Sequence, residues 1–201
     1  MLKLKKIAVT GGLAAGKTTV CQIFREFGAY VISADEIVHQ LLSPGTALGQ
    51  QVISLLGSDI ISGQQLDRKK IAAKVFSQPD LLHALEEIIH PAVFDEIEQK
   101  YQQIDREKRY SLFFAEIPLL YEAEAEGRFD LVITVIADPE LCQNRFMQQT
   151  HQSVQEFEKR MTQQIEPNLK ADKAHYTIVN NGDLDQLKSE VREIYFQLTK
   201  E

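Results

Sequence analysis

Gly11-Gly12-Leu13-Ala14-Ala15-Gly16-Lys17-Thr18 fits the pattern G-x-x-x-x-G-K-[ST], which is typical of a phosphate-binding loop. The segment 6–10 before it predicts a buried strand, and apolar residues spaced along 18–27 predict a helix after it. This order brings backbone N–H groups and the positive end of a helix dipole to one point, which favours binding of a phosphate group. The pattern therefore predicts a nucleotide-binding α/β protein.

Each residue type in the loop has a chemical role. Glycines let the backbone approach the ligand, Lys17 supplies a charge for the β- and γ-phosphates, and the Thr18 hydroxyl is a ligand for Mg²⁺. A dinucleotide-binding loop, G-x-G-x-x-G, is disfavoured because it needs a glycine where Leu13 stands. The residues predicted to bind ATP are Gly12, Leu13, Ala14, Ala15, Gly16, Lys17, Thr18 and Thr19.

Composition limits the class of protein. The chain has 201 residues, 44% of them hydrophobic and 25% charged, as expected for one globular domain. A net charge of -7 argues against nonspecific binding to nucleic acid or to an anionic membrane, and no apolar run reaches the length of a membrane span. We expect a cytoplasmic protein without a nucleic-acid or membrane partner. Cys21 and Cys142 lie in predicted helices without metal-ligand spacing, which predicts buried free thiols.

Further strands are predicted at 30–32, 111–116, 131–136 and 176–179. The block from 41 to 104 reads as nearly all helical, with one helix ending at His90 and the next beginning at Pro91. We therefore predict a three-layer α/β/α P-loop fold with a parallel five-stranded sheet, a helical insertion and a helical lid. The predicted boundaries are a core of 1–40, 106–144 and 174–201, an insertion of 41–105 and a lid of 145–173.

Ligands of an open parallel sheet bind beyond the carboxyl ends of its strands, where three carboxylates stand. Asp35 is the best candidate for a general base, with the N-cap of the following helix as the alternative. Glu116 is either a partner of Mg²⁺ through water or a plain residue of the strand end. Asp138, followed by Pro139, is expected to cap a helix.

A basic helix pair spans 144–173 beside many glutamines. Such a face is usually solvated, but next to a phosphate loop a hinged basic segment can shield a transferring phosphoryl group from water. The basic residues are Arg145, Lys159, Arg160, Lys170 and Lys173.

Short motifs follow one another along the chain. They are the phosphate loop, Val31-Ile32-Ser33-Ala34-Asp35, Pro44-Gly45, Leu66-Asp67-Arg68, Val75-Phe76, His90-Pro91, Pro118-Leu119-Leu120-Tyr121-Glu122 and Asn180-Asn181-Gly182. Single motifs beyond the loop are unspecific. The ordered set over almost the full chain resembles the dephospho-coenzyme A kinase family.

The resemblance implies transfer of the γ-phosphate of ATP, with Mg²⁺, to the ribose 3′-hydroxyl of dephospho-CoA, the last step of coenzyme A biosynthesis. It implies that the insertion binds the CoA moiety, that Asp35 is the general base and that Lys17 takes part in catalysis. Arg145 and Arg160 would be the lid arginines, with Arg145 also binding ATP, and Asn181 and Gly182 would lie near adenine. The residues implied to bind the acceptor are Asp35, Arg68, His90, Pro118, Leu119, Leu120 and Glu122.

Several positions depart from the family pattern. Ala14 and Ala15 stand where Gly and Ser are common, and Ser33 replaces the first aspartate of Asp-Ala-Asp. The remaining departures are His39 for a frequent arginine, Gln149 for a common lid arginine and His175 for a common aspartate. Two alternatives stay open on the sequence alone, a P-loop kinase for another small acceptor and a nucleotide-binding switch without transfer activity. We expect a monomer or a weak homo-oligomer.

Overall fold

The computed structural model describes residues 4–75 and 78–200, so Phe76 of the Val75-Phe76 motif lies outside the described residues. In chain order the helices and strands are β1 (Lys5–Gly11), α1 (Lys17–Glu26), β2 (Tyr30–Ser33), α2 (Ala34–Leu41), α3 (Ala47–Leu56), β3 (Ile61–Ser62), β4 (Gln65–Leu66), α4 (Arg68–Val75), α5 (Pro79–Glu107), β5 (Leu112–Glu116), β6 (Leu131–Ile136), α6 (Pro139–Thr150), α7 (Val154–Met161), α8 (Pro167–Lys173), β7 (Tyr176–Val179) and α9 (Leu184–Lys200).

Five strands form one parallel sheet in the order β2-β5-β1-β6-β7. The register places Glu116 of β5 opposite both Val9 of β1 and Ser33 of β2, so the carboxyl ends of three strands lie at one level. Helices flank this sheet, which confirms the predicted fold class. The predicted bounds of the strands at 131–136 and 176–179 are matched to the residue.

Two neighbouring phenylalanines of β5 face opposite sides of the sheet, as the alternation of a strand requires. The ring of Phe114 stacks on Phe24 of α1 with centroids 4.2 Å apart. The ring of Phe113 meets the edge of Tyr101, near the end of α5, with centroids 5.5 Å apart. Burying a phenylalanine side chain contributes about 1.5–3 kcal/mol, so both helical layers are held by the same strand.

The described residues form two compact units. The first comprises the described part of Met1–Ser33 together with that of Tyr101–Glu201, and it contains the parallel sheet. The second is Ala34–Lys100, which has its own apolar core. That core consists of Val52, Leu56, Ile60, Leu66, Ile71, Val75 and Leu85.

The second unit corrects two expectations. A short antiparallel hairpin pairs Ile61 with Leu66 inside the block expected to be nearly all helical, and its turn includes Gly63 at φ +62°. The helix expected to end at His90 instead continues through Pro91 as α5. Proline removes one helical hydrogen bond and costs about 3 kcal/mol in a helix interior. Buried apolar residues on both sides of Pro91, Leu85 and Phe94 among them, offset that cost.

Both cysteines, Cys21 and Cys142, are buried and free, as expected. Within 4–75 and 78–200, no helix combines the length and the apolar character needed to cross a membrane.

Candidate active site

The phosphate loop joins β1 to α1, and its backbone requires glycine at both ends. Gly11 has φ +141°, and a Cβ there would overlap the carbonyl oxygen of Val135 in the neighbouring strand. Gly16 has φ +101°, and a Cβ there would overlap the side-chain amide of Asn180. Residues with a Cβ rarely adopt either of these backbone conformations, so backbone geometry and close neighbours require glycine at both positions.

Two of the loop amides are used within the protein. The N–H of Gly12 donates to Val135 O at 3.2 Å, and the N–H of Ala15 donates to Gly12 O at 3.3 Å. These bonds close the loop upon itself and against β6. The first turn of α1 begins at Gly16, which has no side chain that could cap it, so the helix end presents its backbone dipole to the loop.

Lys17 curls back over the loop. Its Nζ atom donates to the carbonyl oxygens of Gly12 at 2.7 Å and Gly11 at 3.3 Å, and the residue is nearly buried. The ammonium group is thus held at the mouth of the loop by backbone acceptors. An anion bound there would meet a cation whose position is already restricted.

Thr18 and Glu116 meet beside the loop. The Thr18 hydroxyl donates to Glu116 Oε1 at 2.8 Å, and the buried Glu116 carboxylate lies at the end of β5. Its negative charge also reaches Cys21, whose pKa is raised first by burial and then by Glu116. Two oxygen donors of the kind preferred by Mg²⁺ therefore stand next to the lysine of the phosphate loop.

Asn180, directly after β7, fixes the loop from the other side. Its Nδ2 atom donates to Ala15 O at 2.7 Å, and its own carbonyl accepts from Arg145 Nη1 at 3.1 Å. The sequence predicts the ATP contact at the next residues, Asn181 and Gly182, and gives no role to the Asn180 amide. The available signal was its position at the carboxyl end of a predicted parallel strand.

Asp138 corrects another expectation. It occupies the N-cap position of α6 but makes no side-chain capping bond. Instead its carboxylate accepts from Asn181 Nδ2 at 2.7 Å, and its N–H donates to Asn181 Oδ1 at 2.7 Å. The side chain of Asp138 therefore has its partner in the turn after β7 and not in its own helix. The next residue of that turn, Gly182, packs against Gln186 of α9.

A pocket of about 300 Å³ opens between the phosphate loop, the end of β6 and helices α6, α7 and α8. Its wall is largely apolar, with polar groups from the Asp138 and Asn181 pair at one end. Such a mixture of apolar wall and few polar groups is typical of small-molecule sites. Its apolar lining includes Leu13, Cys142, Phe157, Met161, Pro167 and Val179.

The segment expected to form a basic helix pair consists of three helices, α6, α7 and α8. The Arg160 guanidinium packs over the Phe146 ring at 5.3 Å and lies 3.6 Å from Glu156 on its own helix. Lys170 is fully buried and does not lie on a solvated face. Its ammonium pairs with Glu122 Oε1 at 2.7 Å, which removes it from the group of surface cations.

The Pro118–Glu122 segment is divided between exposed and buried residues. Leu119 is 39% exposed, whereas Leu120 is fully buried. Pro118 offers its carbonyl to Thr10 Oγ1 at 3.2 Å, and Glu122 accepts the N–H of Ile165 at 2.9 Å. The buried members therefore anchor the segment, and Leu119 is the side chain it presents.

Three further predicted site residues belong to the second unit. Asp35 is exposed in the first turn of α2, one residue inside the helix, so it is not the N-cap. Arg68 begins α4 and borders a groove of about 210 Å³ together with His39. His90 lies within α5, half-buried, with its ring 6.4 Å from the Phe94 ring. In the first unit, Thr19 is exposed in the first turn of α1.

Comparison with known proteins identifies the family. The dephospho-CoA kinase family, CoaE, matches residues 5–186. The chain belongs to the dephospho-CoA kinase family. It is 49% identical over 199 residues to the dephospho-CoA kinase of Protochlamydia amoebophila, with 98% of each chain covered.

Solved structures agree with this dephospho-CoA kinase fold. The protein TT1252 from Thermus thermophilus superimposes with a TM-score of 0.84 at 28% identity, covering 97% of this chain and 98% of that one. The dephospho-CoA kinase from Campylobacter jejuni gives a TM-score of 0.72 at 28% identity, with 96% of each chain covered.

Replacing Gly16 by alanine tests the geometry of the loop. We expect Gly16→Ala to lower the free energy of unfolding by about 1–3 kcal/mol, because the residue must hold a positive φ and displace Asn180. ATP affinity should fall as well. Urea titration and nucleotide-binding calorimetry measure the two effects.

Gly127→Ala is the matched control, because no atom lies within 4 Å of a Cβ at Gly127 and its φ is not positive. It should leave both quantities unchanged. Equal behaviour of the two variants would contradict the steric requirement at Gly16.

Proposed function

We propose that the phosphate loop, Glu116 and the carboxylate of Asp35 carry the transfer of the γ-phosphate of ATP to the ribose 3′-hydroxyl of dephospho-CoA. The products are CoA and ADP, and the reaction is the last step of coenzyme A biosynthesis. The observation that carries the assignment is the meeting of Lys17, Thr18 and Glu116 at the carboxyl ends of parallel strands. The chain's membership of the dephospho-CoA kinase family supports the choice of acceptor.

Lys17 and the loop backbone bind the β- and γ-phosphates. The ammonium group, now held by the Gly11 and Gly12 carbonyls, exchanges these acceptors for phosphate oxygens. A charge-assisted bond to phosphate is stronger than one to a neutral carbonyl, which favours this exchange. Positioning of the phosphates and neutralisation of charge account for most of the catalysis in phosphoryl transfer.

The donor set at Thr18 and Glu116 fits Mg²⁺, because a hydroxyl and a carboxylate lie 2.8 Å apart and both are hard oxygen ligands. Thr18 would hold the ion directly and Glu116 would hold it directly or through water. When bound, Mg²⁺ neutralises charge on the phosphate oxygens. Within the described residues no group of three His, Cys, Asp or Glu side chains is placed to hold a metal ion.

The base of ATP occupies the pocket beside Leu13 and Asn181. A volume of about 300 Å³ suits one purine, and the apolar wall provides the stacking surface. The Asp138 and Asn181 pair offers hydrogen-bonding groups at its end, close in sequence to Gly182.

Asp35 accepts the proton of the attacking 3′-hydroxyl, which forms its bond to the γ-phosphorus as the bond to the β-phosphate oxygen breaks. The insertion of 41–105 binds the rest of dephospho-CoA. Within it, the groove beside Arg68 and His39 suits an anionic part of the acceptor, and His90 contributes from α5. From the first unit, Pro118, Leu119, Leu120 and Glu122 form the acceptor segment, with Leu119 exposed.

The segment 145–173 acts as the lid, and Arg145 and Arg160 neutralise charge that develops during transfer. Arg145 is oriented by the carbonyl of Asn180, one residue before Asn181. Closure of such a segment excludes water, which would otherwise compete with the acceptor hydroxyl.

The deciding experiment mixes the protein with MgATP and dephospho-CoA and measures ADP release and the mass of the acceptor. Adenosine, AMP and shikimate serve as competing acceptors. We expect one added phosphate, at the ribose 3′ position of dephospho-CoA alone. Transfer to a competitor instead would favour a kinase for another small acceptor. Bound ATP without any transfer would favour a nucleotide-dependent switch.

Asp35→Asn should separate binding from chemistry. We expect ATP affinity within about threefold of the wild type and kcat lower by roughly 10²–10⁴, the range typical of general-base catalysis. Lys17→Ala should weaken both ATP binding and kcat, because its charge contacts the phosphates in the ground state and the transition state. Steady-state kinetics and calorimetry on both variants measure this. If Asp35→Asn lost ATP affinity as strongly as Lys17→Ala, Asp35 would be a structural residue.

Labelling of Cys142 can show whether the base of ATP fills the pocket beside Leu13 and Asn181, because Cys142 lines that pocket. Burial raises the pKa of its thiol above the ordinary range, so labelling by a thiol reagent should accelerate as the pH rises and thiolate forms. In a Cys21→Ser background, MgATP should slow labelling of Cys142 several-fold. Inorganic tripolyphosphate fills the phosphate loop without a base and should protect much less. Equal protection by the two ligands would place the base outside this pocket.

A further inference from the structure

Among the described residues Lys170 is the most deeply buried charged side chain, and no step of the proposed transfer uses it. It lies in α8 with no measurable exposure, and its ammonium reaches Glu122 Oε1 at 2.7 Å and Pro118 O at 3.2 Å. Both partners belong to the segment after β5. A lysine is almost never buried to this extent unless it is paired, so its surroundings were built around the charge.

The same small region reaches the phosphate loop by two routes. Pro118 O also accepts from Thr10 Oγ1 at 3.2 Å, and Thr10 is the residue before Gly11. The ring of Pro167, one turn before Lys170 in α8, lies so near Gly12 that an added Cβ there would be 3.2 Å away. Lys170 therefore stands between the acceptor segment and the loop that holds the phosphates.

The backbone of α8 is fixed as well. The carbonyl of Lys170 accepts from Thr134 Oγ1 of β6 at 3.3 Å, and Glu122 Oε1 accepts a second bond from the N–H of Ile165, before α8. Polar atoms of β1, β6, the acceptor segment and α8 thus converge within one buried cluster. An apolar pair of similar volume would stabilise the fold about as well, so the ion pair is explained better by the geometry it imposes.

We propose that Lys170 is a positioning residue for the acceptor: its ammonium fixes the Pro118–Glu122 segment against the end of β1, and so sets the distance between acceptor and phosphate loop. This inference rests on the proposed function of that segment. A displacement of about 1 Å between reacting groups can lower a rate about 10²-fold, so a single buried cation at this place controls transfer without touching either substrate.

The single change Lys170→Met leaves the Glu122 carboxylate buried without its cation and can unfold the protein. The test therefore uses the double variant Lys170→Met with Glu122→Gln, which removes both charges and keeps an acceptor for the Ile165 N–H. We expect kcat/KM for dephospho-CoA to fall about 30–100-fold, with the Kd for ATP within threefold of the wild type. The urea midpoint should stay close to that of the wild type, because the pair is replaced by neutral groups.

Thr10→Val provides an independent variant, since it removes only the second hydrogen bond to Pro118 O in a fully buried site. It should also lower kcat/KM for dephospho-CoA, by about fivefold, which is the effect of losing one neutral hydrogen bond. The control is Lys108→Met with Asp105→Asn, the same kind of change at an ion pair on the protein surface. It should alter none of these quantities.

The outcomes are distinguishable. If the double variant and Thr10→Val both kept the wild-type kcat/KM for dephospho-CoA, Lys170 would have a structural role only. The same would hold if both variants lost ATP affinity by the same factor as they lost kcat/KM for dephospho-CoA. If the double variant did not fold, Thr10→Val would decide alone. A wild-type protein that transfers no phosphate would contradict the proposed function itself, before any variant is compared.

Discussion

The parallel pairing of β1 with β5 is the constraint on which the site depends. Its register sets Glu116 opposite Val9, two residues before the loop glycine at 11, and thereby brings the carboxylate to the first turn of α1. A shift of one residue would turn Glu116 to the other face of the sheet and leave Thr18 without this partner. The register is held by buried side chains such as Phe113 and Phe114, which lie on opposite faces of β5. Apolar packing of the sheet is thus what positions the polar site.

Around the loop, side chains bind backbone carbonyls, and two of these bonds join distant parts of the chain. Asn180 binds the carbonyl of Ala15, Lys17 that of Gly12, and Arg145 that of Asn180. A buried carbonyl without a donor is costly, so each bond fixes a segment of irregular backbone that no helix or strand could hold. The loop is therefore shaped by its neighbours as much as by its own glycines. This is the preorganisation that electrostatic catalysis requires, because the dipoles are placed before the substrate arrives.

The parts of the structure that follow from local sequence were predictable. The apolar runs at 131–136 and 176–179 define their strands to the residue, and the loop pattern predicts the turn between β1 and α1. Apart from the local hairpin of β3 and β4, the main failures involve a tertiary partner. Pro91 remains inside α5 because buried residues flank it, and Asp138 binds Asn181 instead of capping its own helix. In the sequence Lys170 is one cation among several on a polar helix. Only the fold shows that it forms an ion pair with Glu122, which lies after β5.

His175, one residue before β7, contacts the neighbouring strand β6. The Nδ1 atom of His175 accepts the N–H of Val132 at 3.1 Å, and the backbone N–H of His175 donates to the Val132 carbonyl at 2.9 Å. It thereby extends the pairing of β6 with β7 by one residue, a role that needs an acceptor near the backbone but no negative charge. A polar residue of another type can therefore stand there without disturbing the phosphate loop. Exchange would be costly at positions where a charge is buried, and among the described residues these include Lys17, Glu116 and Lys170 with its ion pair.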